Sequence, residues 1–344
     1  MTPKISLRIR YAPGPVPMRL VAAAEDLGLH GVWVNEPWGF DAGVVLGAVA
    51  ATTRRVMIGT HIVSVYARTP AATAGMAAAL QVLSDGRFRL ALGTSGPQVV
   101  EGWHGVPFER PLARTRDTIA VVRAALAGEP VAHQGESVTL PRPGGKGKVL
   151  RFSQLGEPLD VPIYVAALGP ANQRLTAEVA DGWTPTPYSP DHDEACAGPL
   201  RRALAGNGRT VALAPVVPLA VGDDLDALLE LERGWSAFYL GGMGTTSQNF
   251  YANVARAMGK EAMVERITAA WRSGDKAAAR AAVDDDYADA IGLYGSTARI
   301  ADRLARYEKA GIDELAVELR NPDPDRALAD LRAFWEIVPA GGGR

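Results

Sequence analysis

The feature that most constrains the fold of this chain is a strand-then-helix alternation that recurs along its 344 residues. Eight short apolar segments are each followed by a stretch with helical periodicity. The eight predicted strands cover residues 5–12, 31–36, 56–64, 87–95, 162–168, 182–187, 210–222 and 314–319. Strands joined by helices pair in parallel, because each helix returns the chain to the same edge of the sheet. Eight such units predict an α/β protein with the (β/α)8 TIM barrel fold.

Two segments interrupt this alternation within what we predict to be a single domain, 1–344. Residues 129–161 include HQGESVTLPRPGGKGKVLRF, whose Gly and Pro content predicts a surface insertion after the fourth helix. Between the seventh and eighth strands, a helical pattern runs from residue 224 to about 310. Glycines interrupt this pattern at 241–244 and 292–295. We expect residues 234–295 to form a helical insertion that acts as a lid.

Composition narrows the range of partners. The formal net charge of −2 argues against nucleic acid or an anionic membrane as the main partner. The sequence has no apolar run long enough to predict a membrane-spanning helix. Arg8 and Arg10 lie where a signal peptide needs its apolar centre, and the single cysteine, Cys196, fits a reducing compartment. We therefore expect a cytoplasmic protein that acts on a small molecule.

In a barrel of this type the active site lies at the carboxyl ends of the strands. The side chains predicted there offer hydroxyls, amides, indoles and one carboxylate, which is not the reactive set of a hydrolase. The five histidines lack metal-ligand spacing, so no metal site is predicted. The residues at the strand ends are Asn35, Glu36, Trp38, His61, Ile62, Ser64, 94–98, Leu168, Gly169, Asn172, Trp183, Thr184 and Thr186.

The turn at Gly169-Pro170 joins the fifth predicted strand to its helix. A helix N-terminus presents backbone N–H groups without partners, together with the positive end of the helix dipole. Gly169 allows close approach to the backbone, and Pro170 suits the first helical position. The turn can therefore hold a phosphate or a carboxylate, although a tight turn without any ligand would use the same residues.

The loop LGTSGPQVVEGWHG, residues 92–105, is long and rich in glycine for a connection of this kind. Long irregular loops are commonly functional. Its hydroxyl and amide groups would suit the border of a flat apolar ring system. Trp103 and His104 lie in this loop, and Trp103 is interpreted either as a ligand contact or as a rim or core aromatic residue.

Six stretches, taken in their order and spacing, carry a resemblance to a known family. They are GVWVNEPWGFDA, IGTHIVSVYARTP, LSDGRFRLALGTSGPQVVEGWHGVPFERPLARTRD, PIYVAALGPANQRLTAEVADGW, FYLGGMGTTSQNFYANVARAMG and LYGSTARIADRLARYEKAGIDEL. With them the chain resembles the luciferase-like superfamily of flavin and deazaflavin oxidoreductases. It is most similar to the branch that depends on coenzyme F420 and includes methylenetetrahydromethanopterin reductase.

The resemblance implies a homodimeric barrel that holds coenzyme F420 with its ring at the strand ends and its phosphate on the turn after the fifth strand. It also implies a non-prolyl cis peptide at His61-Ile62, behind the ring. The cofactor-binding candidates are Asn35, His61, Ile62, Ser64, Thr94, Ser95, Gly96, Gln98, Ala167, Leu168, Gly169 and Asn172. The substrate-binding candidates are Trp38, Trp103, Trp183 and Met243, and the catalytic candidates are Glu36 and His104.

Two positions depart from the glucose-6-phosphate dehydrogenase members of this branch. Those members have Asp-His where this chain has Asn35-Glu36, and an acidic residue where this chain has Gln98. Sugar-phosphate oxidation is therefore not expected. Glu36 becomes the candidate proton donor or acceptor, because an apolar ring beside a carboxyl favours its protonated form. Two alternatives stay open: an FMN-dependent luciferase-like monooxygenase, and a non-catalytic barrel that serves as a partner subunit or binding protein.

Overall fold

The computed structural model describes residues 2–9, 16–244 and 249–339, which form an α/β fold around one main sheet. The strands are β1 (Lys4–Ile9), β2 (Gly31–Val34), β3 (Met57–Thr60), β4 (Val63–Ser64), β5 (Phe88–Gly93), β6 (His133–Gln134), β7 (Thr139–Leu140), β8 (Ile163–Val165), β9 (Gly182–Trp183), β10 (Ala212–Leu213), β11 (Val216–Val221), β12 (Leu293–Gly295) and β13 (Glu314–Leu319).

Helices follow most of these strands. They are α1 (Met18–Leu27), α2 (Ala42–Thr52), α3 (Pro70–Leu83), α4 (Pro97–Gly102), α5 (Pro111–Leu126), α6 (Pro170–Val179), α7 (Asp193–Asn207), α8 (Leu225–Ala237), α9 (Phe250–Ala257), α10 (Glu261–Arg272), α11 (Lys276–Ala281), α12 (Asp285–Ala290), α13 (Thr297–Lys309) and α14 (Pro324–Ile337). A 3₁₀ turn, Pro190–His192, precedes α7, and a π-helical turn, Phe238–Gly242, follows α8.

The strands of the main sheet pair in parallel, in the order β10-β9-β8-β5-β3-β2-β1-β13-β11-β12, with β4 against β5. Leu7 of β1 is in register with Val32 on one side and with Val317 on the other. β10 pairs with β9, whereas β11 pairs with β13, and only Ala214 and Pro215 separate β10 from β11. The sheet is therefore strongly curled, and the predicted α/β class with parallel strands is confirmed.

The strands are apolar on both faces because helices cover the outside of the curl and side chains fill the inside. Every residue of β2 and of β13 is buried. At the amino-terminal end of the strands, the buried carboxylate of Glu314 accepts hydrogen bonds from Ser6 Oγ at 2.5 Å, Trp33 Nε1 at 2.7 Å and Arg89 Nη1 at 3.0 Å. These donors compensate the buried charge of Glu314. Side chains of the protein therefore occupy this end of the sheet.

Side-chain caps begin the helices that follow β2 and β4. Asp41 accepts a hydrogen bond from Val44 N at the start of α2 (3.0 Å), and Thr69 accepts one from Ala72 N at the start of α3 (3.2 Å). Such caps satisfy backbone donors that a helix N-terminus otherwise leaves without partners. The loops at the carboxyl ends of these strands are thereby tied to fixed helix ends.

Several boundaries differ from the prediction. The strand predicted at 56–64 is divided into β3 and β4, and that at 210–222 is divided into β10 and β11, where Pro215 cannot donate to the ladder. The glycine interruption expected at 292–295 contains β12, which pairs with β11. The 92–105 loop contains the short helix α4. The strand at 314–319 coincides with β13, and residues 10–12 of the first predicted strand lie outside the described residues.

The two predicted insertions have distinct structures. Residues 129–161 contain the antiparallel hairpin β6–β7, whose turn donates from Ser137 N and Val138 N to Asp117 of α5 at 2.7 and 2.9 Å. The described part of 234–295 contains the π-helical turn and α9 to α12; residues 245–248 lie outside it. Among the described helices, none has both the length and the hydropathy needed to cross a bilayer.

Candidate functional site

A cleft of about 500 Å³ opens at the carboxyl ends of the strands. Loops that follow β2, β5 and β8 form its walls, and the π-helical turn, residues 243–244 and α9 cover it. A cavity of this size and position is typical of a small-molecule site in an α/β barrel. Twelve of the predicted site residues line it: Asn35, Glu36, Trp38, His61, Ile62, Thr94, Ser95, Gly96, Leu168, Gly169, Asn172 and Met243.

Six predicted site residues are not among those that line the cleft: Ser64, Gln98, Trp103, His104, Ala167 and Trp183. Trp103 is 64% exposed on the surface, and His104 follows it at the end of α4. Ser64 is buried and accepts a hydrogen bond from Tyr66 N at 3.2 Å. Gln98 instead contacts the cover, because its Oε1 accepts a hydrogen bond from Gly244 N at 3.2 Å.

Trp183 supports the turn after β8 from inside the protein. Its side chain is fully buried, and its Nε1 donates to the carbonyl oxygen of Ala167 at 2.7 Å. Gln173, also buried, donates from Nε2 to the carbonyl oxygens of Leu168 (3.0 Å) and Cys196 (2.8 Å). The position of Trp183 thus corrects its predicted place on the cleft wall: the indole holds the turn from behind.

The turn itself has the features of an anion site. Gly169 is the N-cap of α6 and makes no side-chain cap, and Pro170 takes the first helical position. A Cβ atom at Gly169 would meet nothing within 4 Å, so the turn faces open space. The N-terminal amides of α6 therefore lie at the cleft without a capping side chain, and the helix dipole favours an anion there. Beside them, Asn172 Oδ1 is a buried oxygen without a hydrogen-bond partner.

His61 forms part of the wall as a neutral imidazole. Burial and the nearby Arg8 guanidinium lower the pKa of His61 to about 3. Its Nε2 lies 2.6 Å from Thr184 Oγ1, and that hydroxyl donates its hydrogen to the carbonyl oxygen of Ala214 at 2.7 Å. Because a hydroxyl has one hydrogen, we assign the imidazole hydrogen to Nε2, which leaves Nδ1 as an acceptor. His61 therefore does not serve as a proton donor near neutral pH.

The peptide bond between His61 and Ile62 is cis, which confirms the prediction from the family resemblance. Backbone hydrogen bonds join this bond to the end of β2, from His61 N to Val34 O at 2.6 Å and from Glu36 N to Ile62 O at 3.2 Å. The Ile62 side chain lies over Gly93 of β5, where a Cβ atom would come within 3.0 Å of it. Glycine at this position therefore leaves the space that Ile62 occupies.

Glu36 has partners for both carboxylate oxygens. Arg68 binds it through two nitrogens, with Nη2 at 2.7 Å from Oε2, and Ala42 N donates to Oε2 at 2.7 Å. Arg68 Nη2 also contacts Asp41 Oδ2 at 2.5 Å. A bidentate arginine pair is a strong, oriented interaction. Arg68 was not among the predicted site residues. Through these contacts, Glu36 ties the loop after β2 to the start of α2 and to Arg68.

Arg8 lies at the floor of the cleft and was not among the predicted site residues. It forms an ion pair with Glu318, which also pairs with Arg320. Arg320 Nε in turn contacts Glu232 Oε2 at 2.6 Å. Burial lowers the pKa of Arg8 to about 10, so the guanidinium stays charged at neutral pH. In β1, Ser6 and Arg8 alternate with apolar residues. This alternation could have predicted that the Arg8 side chain lies inside the curled sheet.

An aromatic cover lies over the cleft. Tyr239 of the π-helical turn and Tyr251 of α9 both line it, with ring centroids 4.6 Å apart. Trp235 of α8 stacks on Tyr239 at 5.7 Å, and the Arg320 guanidinium lies 5.2 Å from the Trp235 ring. The cover is thereby connected to the charged residues at the cleft floor. Trp271 packs against the glycines of the turn, where a Cβ atom at Gly241 would lie 2.8 Å from it.

Comparison with known proteins gives consistent matches to this architecture. The family model described as luciferase-like monooxygenase matches residues 17–314. A relative from Mycobacterium tuberculosis, provisionally named a coenzyme F420-dependent oxidoreductase, is 39% identical over 95% of this chain and 98% of its own. The 5,10-methylenetetrahydromethanopterin reductase of Archaeoglobus fulgidus is 26% identical over 93% of each chain.

The fold is also found among solved structures. The coenzyme F420-dependent tetrahydromethanopterin reductase of Methanopyrus kandleri superposes with a TM-score of 0.77 and covers 94% of this chain and 96% of its own, at 23% sequence identity. At this level of identity the match shows a shared fold, with the curled parallel sheet at its centre.

Proposed function

Because the chain belongs to the luciferase-like monooxygenase family, we propose that it is an oxidoreductase that transfers a hydride between coenzyme F420 and a small organic substrate. The observation that carries this proposal is the relative of M. tuberculosis named for F420, which matches this chain along nearly its whole length. The cleft supports it, because it combines an anion site, apolar walls and few polar groups at the strand ends. The same matches disfavour a non-catalytic barrel.

The residues of the cleft fit such a cofactor. Coenzyme F420 would supply a ring that carries the hydride, and a tail with a phosphate and carboxylates. The amides at the start of α6 offer a place for the anionic tail, and Asn172 Oδ1, a buried oxygen without a partner, can accept a hydrogen bond from a hydroxyl of the bound group. Asn35 Oδ1 is likewise a buried oxygen without a partner, and it can accept a hydrogen bond from a bound group. His61 and Ile62 provide an uncharged wall, so they can exclude water from the reacting face.

We propose that the π-helical turn, residues 243–244 and α9 act as the lid over the site. Tyr239, Met243 and Tyr251 line the cleft from the lid, and Gly244 N donates to Gln98 across its edge. A lid of this kind excludes water and selects the substrate. Residues 129–161 form the surface insertion, since their hairpin packs on the outer helix α5.

The proton role of Glu36 stays a prediction that kinetics can test. With both oxygens engaged, the carboxylate has a clear alternative role, which is to hold the loop that contains Asn35. Glu36→Gln keeps the size of the side chain and removes its acid function. If Glu36 transfers a proton, the variant binds F420 normally and its turnover falls at least about 100-fold, the low end for a general acid. Glu129→Gln, at an exposed carboxylate outside the cleft, is the control. Turnover of Glu36→Gln within about twofold of the wild type would remove this role.

We also propose that the protein is a homodimer through α2 and α3. The exposed faces of these helices carry no charge: Val44 and Ala48 project from α2, and Val82 and Leu83 project from α3. Exposed apolar helix faces of this extent mark an interaction surface. Light scattering after size exclusion should give twice the chain mass for the wild type and a shift to monomer for Val44→Glu. Val149→Glu, on the hairpin side, should stay dimeric. A monomeric wild type would refute this part.

The cofactor is tested by titrating the purified protein with coenzyme F420 and with FMN, and by measuring binding through equilibrium dialysis. We expect saturable binding of F420 and oxidation or reduction of bound F420 on addition of substrate. Saturable binding of FMN alone would instead support the FMN-dependent monooxygenase.

A further inference from the structure

We propose that the cleft selects an uncharged, largely apolar substrate that offers an oxygen as hydrogen-bond acceptor, an inference that rests on the proposed function. Three features of the described cleft lead to it. Its charges are compensated within the protein, its cover is aromatic and apolar, and its tyrosine hydroxyls are available as donors.

The first feature is charge compensation. Of the cleft residues that the structure describes, Arg8 and Glu36 are the charged ones. Arg8 is paired with Glu318, and Glu36 is bound by Arg68 and by a backbone N–H group. An anionic substrate would therefore find no cation in the described cleft that lacks a carboxylate partner.

The charges behind Arg8 strengthen this conclusion. Glu318 also pairs with Arg320, and Arg320 pairs with Glu232, so two guanidiniums and two carboxylates alternate in a chain with no net charge. The Tyr294 hydroxyl donates a further hydrogen bond to Glu232 Oε2, at 2.7 Å. A substrate carboxylate or phosphate at this floor would add a third anion to two cations, and an uncompensated charge is costly to bury.

The second feature is the surface that faces the substrate. Tyr239, Met243 and Phe250 line the cleft from the cover. Trp38 lines it from the loop after β2, and Leu112 lines it from the first turn of α5. Trp38 and Leu112 are also exposed at the rim, so an apolar surface continues from the mouth into the cleft. Aromatic and aliphatic side chains of this kind bind flat apolar molecules through buried area.

The third feature is the hydrogen-bonding capacity of the cover. The hydroxyls of Tyr239 and Tyr251 have no hydrogen-bond partner among the described residues, although both side chains line the cleft. Burial raises the pKa of Tyr251 above its ordinary value, so its hydroxyl stays protonated at neutral pH. A protonated hydroxyl donates to a carbonyl or alcohol oxygen. A neutral molecule with one such oxygen therefore complements both the walls and the donors.

The experiment compares two molecules that differ by one charge. Acetophenone is the uncharged probe, and 4-acetylbenzoate has the same skeleton with a carboxylate added. Binding of each to the F420-loaded protein is measured by equilibrium dialysis at neutral pH, which requires no turnover. We expect acetophenone to bind at least about tenfold more tightly, because the carboxylate must be desolvated without a free cation.

A variant tests the reason for this preference. Met243→Lys places a free cation on the half-buried cover, and we expect it to improve binding of 4-acetylbenzoate by about tenfold relative to acetophenone. Leu150→Lys adds the same charge at an exposed position outside the cleft and should leave the preference as in the wild type. Both substitutions lie at positions that are not fully buried, so folding should be retained.

The outcomes separate this inference from the proposed function. If F420 binds and 4-acetylbenzoate binds the wild type as tightly as acetophenone or more tightly, the substrate inference is overturned while the proposed function stands. If F420 binds and neither probe binds, the inference is likewise overturned. If F420 does not bind at all, the proposed function fails, and the inference fails with it.

Discussion

The buried imidazole of His61 makes the stability of this protein depend on pH in a defined direction. In the unfolded chain His61 takes up a proton near the ordinary histidine pKa of 6.5, whereas in the folded protein its pKa is about 3. Between these values the unfolded state binds more protons than the folded state, so the free energy of unfolding falls as the pH falls. Above pH 6.5 the effect disappears, because the imidazole is neutral in both states.

The magnitude follows from these two pKa values. Each pH unit in the window contributes up to about 1.4 kcal/mol, and the titration curves integrate to a loss of about 2 kcal/mol between pH 7.5 and pH 5.0. Burial also lowers the pKa of His30, to about 4, which adds an acid-induced loss of the same sign. Removal of His61 should therefore reduce the total loss by about 2 kcal/mol without abolishing it.

The assay is urea unfolding at pH 7.5 and at pH 5.0, followed by circular dichroism. His61→Gln should be less stable than the wild type at pH 7.5, because it disturbs the contact with Thr184. Its loss of unfolding free energy on acidification should nevertheless be about 2 kcal/mol smaller. His192→Gln retains His61 and should lose as much as the wild type. Equal losses in the wild type and in His61→Gln would refute the assignment of a neutral, buried imidazole.

Two further substitutions test contacts around the site. Arg68→Met leaves the largely buried Glu36 without its cation. We expect the free energy of unfolding, measured by urea titration, to fall by about 3 kcal/mol. A change under about 0.5 kcal/mol would show that the pair does not hold the loop. Gly182→Ala would place a Cβ atom 2.2 Å from the Tyr164 ring inside the sheet. We therefore expect the free energy of unfolding to fall by about 1–3 kcal/mol in the same assay. Wild-type stability of this variant would contradict the close packing of Gly182 against Tyr164.

Much of the fold could be predicted because the alternation of apolar strands and helices is regular. The strand at 314–319 was placed correctly, since Leu315, Ala316, Val317 and Leu319 supply the apolar side chains that a strand covered on both faces requires. The divisions within 56–64 and 210–222 were missed. The first depends on the local geometry around His61 and Ile62, and the second on Pro215, whose effect on a ladder depends on which neighbours it faces.

The site could be predicted in part for the same reason. Residues in the loops after strands, such as Asn35 and Gly169, reach the cleft because the carboxyl ends of parallel strands meet at one end of the sheet. Arg68 and Tyr251 were missed, because their contacts join segments far apart in sequence. Trp183 lies within β9, and its side chain points into the core. Residue order alone does not decide whether a strand residue faces the core or the cleft.

We infer that the start of α6 holds the anionic tail of a deazaflavin coenzyme, and one substitution tests this directly. Gly169→Asp places a carboxylate at the N-cap, where a Cβ atom has free space and where aspartate is a favourable cap. The variant should fold at least as stably as the wild type, but the new charge competes with the tail for the same amides.

Equilibrium dialysis with coenzyme F420 provides the measurement, with Gly156→Asp, at an exposed glycine that also has free space, as the matched control. We expect the wild type and Gly156→Asp to bind F420 with equal affinity, and Gly169→Asp to bind it at least about tenfold more weakly at an unchanged melting temperature. Equal affinity for F420 in all three proteins would contradict the claim.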